Sequence, residues 1–262
     1  MNELTPLEQY KKDTIDRVNA YTKNIPLQKN LKNFLDEAGK ANYGFGFLWL
    51  GVPIIQVPQD LQALQEIIWD TKPELIIETG IAWGGSLLYK ASMLSLLEMC
   101  GVIKEGHVLG IDIEIRPHNK NAISEHPMSK KITMLEGSSI DKKIIKEVIE
   151  FAKGKRTMIC LDSNHTHEHV LNELKAYAPL VSKGCYCIVC DTSIENWADD
   201  MISDRPWGKG NNPKTAVWEY LDYLENNNNQ SENGEIFKFK IDKYIHNQIM
   251  ITGSPDGYLK RV

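Results

Sequence analysis

Residues 74–86 read ELIIETGIAWGGS: Glu74, Leu75, Ile76, Ile77, Glu78, Thr79, Gly80, Ile81, Ala82, Trp83, Gly84, Gly85 and Ser86. A short apolar run that ends in glycines is a strand buried on both faces, turning tightly into a helix. Further runs of the same kind are HVLGID (107–112), KITMLEG (131–137), TMICLD (157–162) and CYCIVCD (185–191). Helical patterns lie between them at 85–99, 140–152 and 166–178, with a looser connection at 113–130. Such alternation predicts a parallel sheet covered by helices on both sides. Toward the end, PKTAVWEYLDYLE (213–225) reads as a helix opened by proline, and IFKFKI (236–241) and HNQIMIT (246–252) read as an antiparallel strand pair. The expected fold class is α/β, a doubly wound Rossmann-like sheet of about seven strands, mostly parallel with an antiparallel C-terminal edge.

Ahead of this block, 4–23 and 28–41 carry apolar residues at helical spacing, among them Leu7, Tyr10, Ile15, Val18, Leu31, Phe34 and Leu35. The stretch NYGFGFLWLGVPIIQVPQD (42–60) is too broken by glycine and proline for a long helix. The chain therefore divides into an N-terminal helical or cap segment, 1–59, and a Rossmann-like domain, 60–262.

The 262 residues are 42% hydrophobic and 25% charged, with net charge −5, so composition excludes a collagen, a disordered chain and a heptad rod. That balance gives no general pull toward nucleic acid or an anionic membrane. No apolar run approaches the ~20 residues a membrane helix needs. The first residues match neither a signal peptide nor a transit peptide, which leads us to expect a cytoplasmic location. Of the five cysteines, Cys187 and Cys190 form a C-x-x-C, but residues three apart on a strand point to opposite faces and cannot bridge or share a metal. They read as buried and reduced.

In sheets of this type ligands bind beyond the carboxyl ends of the strands, where strand order reverses. After the first strand, Gly80 makes the turn, and Gly84, Gly85 and Ser86 open the next helix with free N–H groups. Glu78 would repel phosphates there and suits a ligand with a positive amino group. Asp112 closes the second strand, where an acidic residue accepts hydrogen bonds from ribose hydroxyls. Ser138 and Ser139 follow the third strand and place a polar loop against an adenine edge, or else cap the helix at 140. The fourth and fifth strands end in Asp162 and Asp191, within reach of one ion. Two carboxylates with Asn164 or His165 and waters suit a hard cation such as Mg2+. His165 overhangs the same pocket as a proton acceptor, whereas His167 and His169 run onto a helix as surface or capping groups. A zinc hydrolase is the rival reading of H-x-H-x-H, but no further ligand cluster accompanies it.

Taken together, GVPIIQVPQDL, ETGIAWGGSLL, GIDIEIRPHN, ITMLEGSS, LDSNHTHEHVLNELKAYAPLVSKG and RPWGKGNNPKTAVWEYL resemble the cephalosporin hydroxylase family, within the class I S-adenosylmethionine-dependent methyltransferases, over roughly residues 50–220. The resemblance implies an O-methyltransferase assisted by a divalent metal, acting on a hydroxyl of a small molecule or saccharide. It implies that Glu78, Gly80 and Ser86 meet the methionine part of the cofactor, with Gly84, Gly85 and Asp162 beside it. It places Asp112 at the ribose, Ser138 and Ser139 near adenine, and Mg2+ on Asp162 and Asp191. His165 stands where catechol-type enzymes carry a lysine base. The chain departs from the family at Cys190, where an acidic residue is expected; the loss weakens the metal or shifts its ligation to Asn164, His165 or water. The N-terminal helices, the aromatic stretch 43–50 and the loop 205–214 are candidates for lid and acceptor pocket; the aromatic stretch reads equally as core or subunit contact, and Arg205, Lys209 and Lys214 either attract an anionic substrate or sit on a solvated loop. The N-terminal aromatics also fit a homo-oligomer, and no nucleic-acid or membrane partner is expected. Two other readings remain open on the residues alone: an NAD-dependent oxidoreductase or hydroxylase on the same fold, and a non-catalytic scaffold that keeps the cofactor pocket.

Overall fold

The computed structural model describes residues 4–197, 204–227 and 237–262. Two helices open the chain, α1 (Pro6–Tyr21) and α2 (Ile25–Lys40). Thr5 and Glu8 form a reciprocal capping box at the start of α1, and the Asn24 side chain accepts from the Leu27 N–H at the start of α2. The stretch expected to be irregular contains a hairpin, β1 (Phe47–Trp49) and β2 (Val52–Ile54). Its two-residue turn has Leu50 at φ 48° and Gly51 at φ 88°, the positive pair that a tight hairpin requires. Then α3 (Pro58–Thr71), opened by Pro58, leads into the sheet.

The parallel strands are β3 (Leu75–Thr79), β4 (His107–Asp112), β5 (Ile132–Glu136), β6 (Thr157–Leu161) and β7 (Tyr186–Val189). The helices between them are α4 (Gly85–Met99), α5 (Pro117–Ser124), α6 (Lys142–Ala152) and α7 (His167–Tyr177). After α8 (Pro213–Asn226) come β8 (Phe239–Ile241), α9 (Lys243–Ile249) and β9 (Tyr258–Arg261). The seven strands lie in the order β5-β4-β3-β6-β7-β9-β8, with β9 antiparallel to both of its neighbours. The expected mostly parallel sheet with an antiparallel edge is the one observed. Residue 236 of the strand expected at 236–241 lies outside the described residues.

One expected strand is wrong. HNQIMIT falls largely within α9, whose N-terminus is capped by the Asp242 carboxylate accepting from the Tyr244 N–H at 3.1 Å. Ile245 and Ile249, four apart, pack from one face of α9 into the core that α3 and α4 share. The antiparallel partner of Phe239–Ile241 is Tyr258–Arg261 instead, which lies between β7 and the edge strand β8 and buries Tyr258 and Leu259.

Alternation along β3 sorts the core into two layers. Leu75 and Ile77 face the cluster built with α6, α7 and α8. Ile76 faces the other, with α3, α4, Ile54 and the hairpin aromatics Phe47 and Trp49. Cys187 lies in the first layer and Cys190 packs against the second, so the C-x-x-C thiols sit on opposite faces; all five cysteines are free. Among the described residues no helix is long and apolar enough to cross a membrane.

Candidate active site at the carboxyl edge of the sheet

Strand order reverses at β3, which pairs with β4 on one side and β6 on the other. The loop after β3 lies at that divide. Gly80 has φ 86°, and a Cβ built there would stand 1.9 Å from the Asp162 carbonyl oxygen. The glycine thus lets the β3 and β6 loops touch. Gly80→Ala adds left-handed strain of roughly 1–2 kcal/mol to a backbone clash that no rotamer relieves. We expect a lower melting temperature and loss of ligand binding at this cleft, both measurable in one thermal-shift series. Gly85 is similarly tight, its Cβ position lying 2.3 Å from the Pro53 carbonyl oxygen, and this close approach seats the hairpin over the helix start. Gly84, at φ 90°, abuts Ile123 of α5.

Asp112 holds this loop. Its Oδ2 accepts from the N–H of Ile81 at 2.8 Å and of Ala82 at 3.3 Å, and its Oδ1 accepts from Glu114 at 3.2 Å. Ala82, a non-glycine at φ 46°, is further tied by its carbonyl, which accepts from Asn119 Nδ2 at 2.6 Å. The result is a cleft lined by Pro53, Ile54, Ile55, Gln56, Gly80 to Ser86 and Asp162. A flatter concavity over Lys143, Lys146 and Phe151, on α6, carries none of the site residues.

Glu78 does not line the cleft. It points to the face that α4 covers, fully buried, with Oε2 2.8 Å from the equally buried Lys90 Nζ. The expectation that it meets a cofactor's amino group gives way here to an ion pair inside the fold. Burial works against the Lys90 charge, but Glu78, helped by Cys160 and Cys190, holds the ammonium above its ordinary range. Ser139 is likewise turned inward: its Oγ meets His169 Nε2 at 3.0 Å, and its carbonyl accepts from the Tyr177 hydroxyl. Ser138 is half-buried.

On the other side of the divide, Asp162, His165 and Asp191 converge. One ligand atom from each lies within 4.8 Å of the others, and His165 Nε2 is 3.2 Å from Asp191 Oδ2. Asp191 sits at φ 55° on the turn after β7. Burial pushes the Asp162 carboxyl well above its usual range, and the neighbouring Asp191 and Glu78 charges add to this while Lys90 opposes it. Strand pairing puts Cys190 beside Asp162, where burial and then the Asp162 charge push its thiol up.

The three histidines part company. His167 meets Thr215 and Glu219 on α8, at 2.8 and 2.9 Å. His169 faces Ser139, Ser163 and the buried Glu173. Only His165 reaches the aspartates, so no three-histidine zinc site forms. Asn164 Oδ1 accepts from the N–H and hydroxyl of Thr166, at 2.9 and 2.7 Å, and shapes the turn before α7.

The loop at 205–214 borders this cluster. The Trp207 ring stands edge-on to His165, centroids 4.9 Å apart, and Arg205 lies over Trp207. Glu195 accepts from the Gly210 N–H at 2.8 Å and from Asn212 Nδ2, and Asn211 Oδ1 accepts from the His167 N–H at 3.0 Å. Lys214 is buried and paired with Asp256 at 3.1 Å, so it does not attract substrate. Sequence reading missed Lys90 and Asp60. Asp60, at the start of α3, accepts from the Gly253 N–H at 2.9 Å and the Tyr258 hydroxyl at 2.8 Å, bracing the loop that abuts Asp191.

The chain is similar to known proteins. Rhamnosyl O-methyltransferase of Mycobacterium tuberculosis strain H37Rv is 28% identical over 216 residues, covering 81% of this chain and 77% of that protein. The Mycobacterium leprae rhamnosyl O-methyltransferase is 29% identical over 149 residues, covering 56% of this chain and 60% of its own length. A solved CmcI structure described as carrying Mg and SAM superimposes with TM-score 0.54 at 22% identity, over 83% of this chain and 77% of that one, a likeness of fold. The model of the rhamnosyl O-methyltransferase/CmcI family matches residues 41–262, and the chain belongs to that family.

Proposed function

We propose that this protein transfers a methyl group from S-adenosylmethionine to a hydroxyl of a sugar, with a divalent cation at Asp162 and Asp191. The observation that carries the reading is the meeting, at one switch point, of the glycine loop with the Asp162, His165 and Asp191 cluster. Its family and its curated relatives are named for rhamnosyl O-methyl transfer, which supports a saccharide acceptor.

The residues present fit both groups. Gly80, Gly84, Gly85 and Ser86 line the cleft, the three glycines allowing the loop to close on Asp162, Ile123 and Pro53 where a Cβ would clash, and Asp112 fixes that backbone at the strand end where this fold binds ribose. Two carboxylates and an imidazole are a sound donor set for a divalent ion, and a cation offsets the burial and neighbouring charges that lift the Asp162 carboxyl. When bound, such an ion supplies a Lewis acid that lowers the pKa of a hydroxyl. His165 accepts the hydroxyl proton at Nε2. Trp207 backs the imidazole and keeps bulk water from that side. Because the methyl donor is itself a reactive cation, the protein's part is to place the oxygen in line with the methyl and keep water out. An oxidoreductase is not favoured: the loop after β3 lacks the second glycine of a pyrophosphate cradle.

The test is transfer of a labelled methyl group from S-adenosylmethionine to a panel of rhamnosides. We expect label on a sugar oxygen, lost in EDTA and restored by added divalent ion. Undiminished transfer in chelator would remove the metal from the reaction, and no transfer to any sugar would remove the acceptor class.

A further inference from the structure

We propose that His165 is itself a protein ligand of the divalent ion before the acceptor arrives, and that its nitrogen makes this site prefer a first-row transition ion to Mg2+. This rests on the ion site of the proposed function and deepens it. The starting point is the donor set itself: the residue before Asp191 is Cys190, a soft sulfur and a poor partner for a hard ion. An ion held by Asp162 and Asp191 alone lacks a third protein donor, and the structure decides which neighbour supplies it.

Asn164 is spent. Its only acceptor atom, Oδ1, already takes two hydrogen bonds from Thr166, and this turn sets up the start of α7. Cys190 does not join the gathered donors; among the described residues the group that does is Asp162, His165 and Asp191. The 3.2 Å between His165 Nε2 and Asp191 Oδ2 is the spacing of adjacent ligands on an octahedral ion, since bonds of about 2.1 Å at right angles leave their ends about 3 Å apart. The imidazole is also held there. Its side chain is 19% exposed, and the edge-on Trp207 ring limits its swing.

The donor set then sets the preference. Mg2+ favours oxygen and gives up its waters reluctantly. First-row divalent ions gain more from an imidazole, and Mn2+, the weakest binder of that series, is the most stringent probe among them. Ligand and proton acceptor use the same lone pair on Nε2. The two roles therefore belong to different states of the site, ligand in the acceptor-free enzyme and proton acceptor once a hydroxyl is in place.

The experiment uses the full chain without a histidine tag, loaded with Mn2+, and pulsed electron paramagnetic resonance to read nitrogen coupling to the ion. Wild type is expected to show 14N modulation from one directly bound imidazole, and Asn164→Ala to keep it. His165→Gln is expected to lose it, with Mn2+ affinity by calorimetry falling about tenfold or more while Mg2+ affinity changes much less. Circular dichroism of each variant checks that it is folded. Bound Mn2+ without nitrogen modulation in wild type, or modulation that survives in His165→Gln, would overturn the proposal and leave the methyltransferase reading standing. Binding of neither ion would overturn the ion site itself, and this proposal with it.

Discussion

Replacing His165 with alanine is expected to slow methyl transfer by about 10²–10⁴-fold while S-adenosylhomocysteine binds as before. His165 is the one imidazole at the aspartate pair, since His167 is drawn to α8 and His169 to Ser139, Ser163 and Glu173. The cleft that would hold the cofactor is lined by the glycine loop and Asp162, with no contribution from His165. Removing the imidazole therefore acts at the ion and the reacting oxygen and not on the cradle. Single-turnover rates with calorimetry of the same sample separate the two. Loss of cofactor affinity in proportion to rate would contradict the assignment, and so would transfer at the wild-type rate.

Lys90→Met should cost the fold about 3–5 kcal/mol. The Lys90 and Glu78 side chains are each 1% exposed and face each other at 2.8 Å, so the substitution strands a carboxylate with no solvent access. The charge is also felt at the site, since Lys90 offsets the like-charge pressure on Asp162. Urea denaturation measures the loss. The double variant Lys90→Met with Glu78→Gln removes both full charges and should recover much of the stability, as exchange of a buried pair for neutral groups of similar size often does. If the single variant is as stable as wild type, the pair contributes nothing to the fold.

The parallel strands were legible because each is a short apolar run buried on both faces, with its functional residue directly after it. Asp112, Asp162 and Asp191 could be located that way, since a strand end has only one place to go in such a sheet. HNQIMIT misled because a short apolar-polar alternation does not separate a strand from a one-sided helix turn. The Asp242 cap and the pairing of Ile245 with Ile249 decided it in favour of α9. The true antiparallel partner strand, YLKR, lies between β7 and β8, ends in two basic residues and shows no strand signal of its own. Lys90 was illegible for a different reason. A lysine in the middle of a helix reads as solvent-facing unless its partner is known, and that partner lies twelve residues back on another element. Asp60 makes contacts to Gly253 and Tyr258, 193 and 198 residues away, which no local pattern encodes.

Calorimetric titration of the protein with S-adenosylhomocysteine, and in a parallel cell with NAD+, asks whether the switch point beside Gly80 and Asp112 is a cradle for a methyl donor. The expected result is saturable one-to-one binding of S-adenosylhomocysteine and no heat from NAD+. Binding of NAD+ alone, or of neither, would contradict the account and leave only the architecture in place.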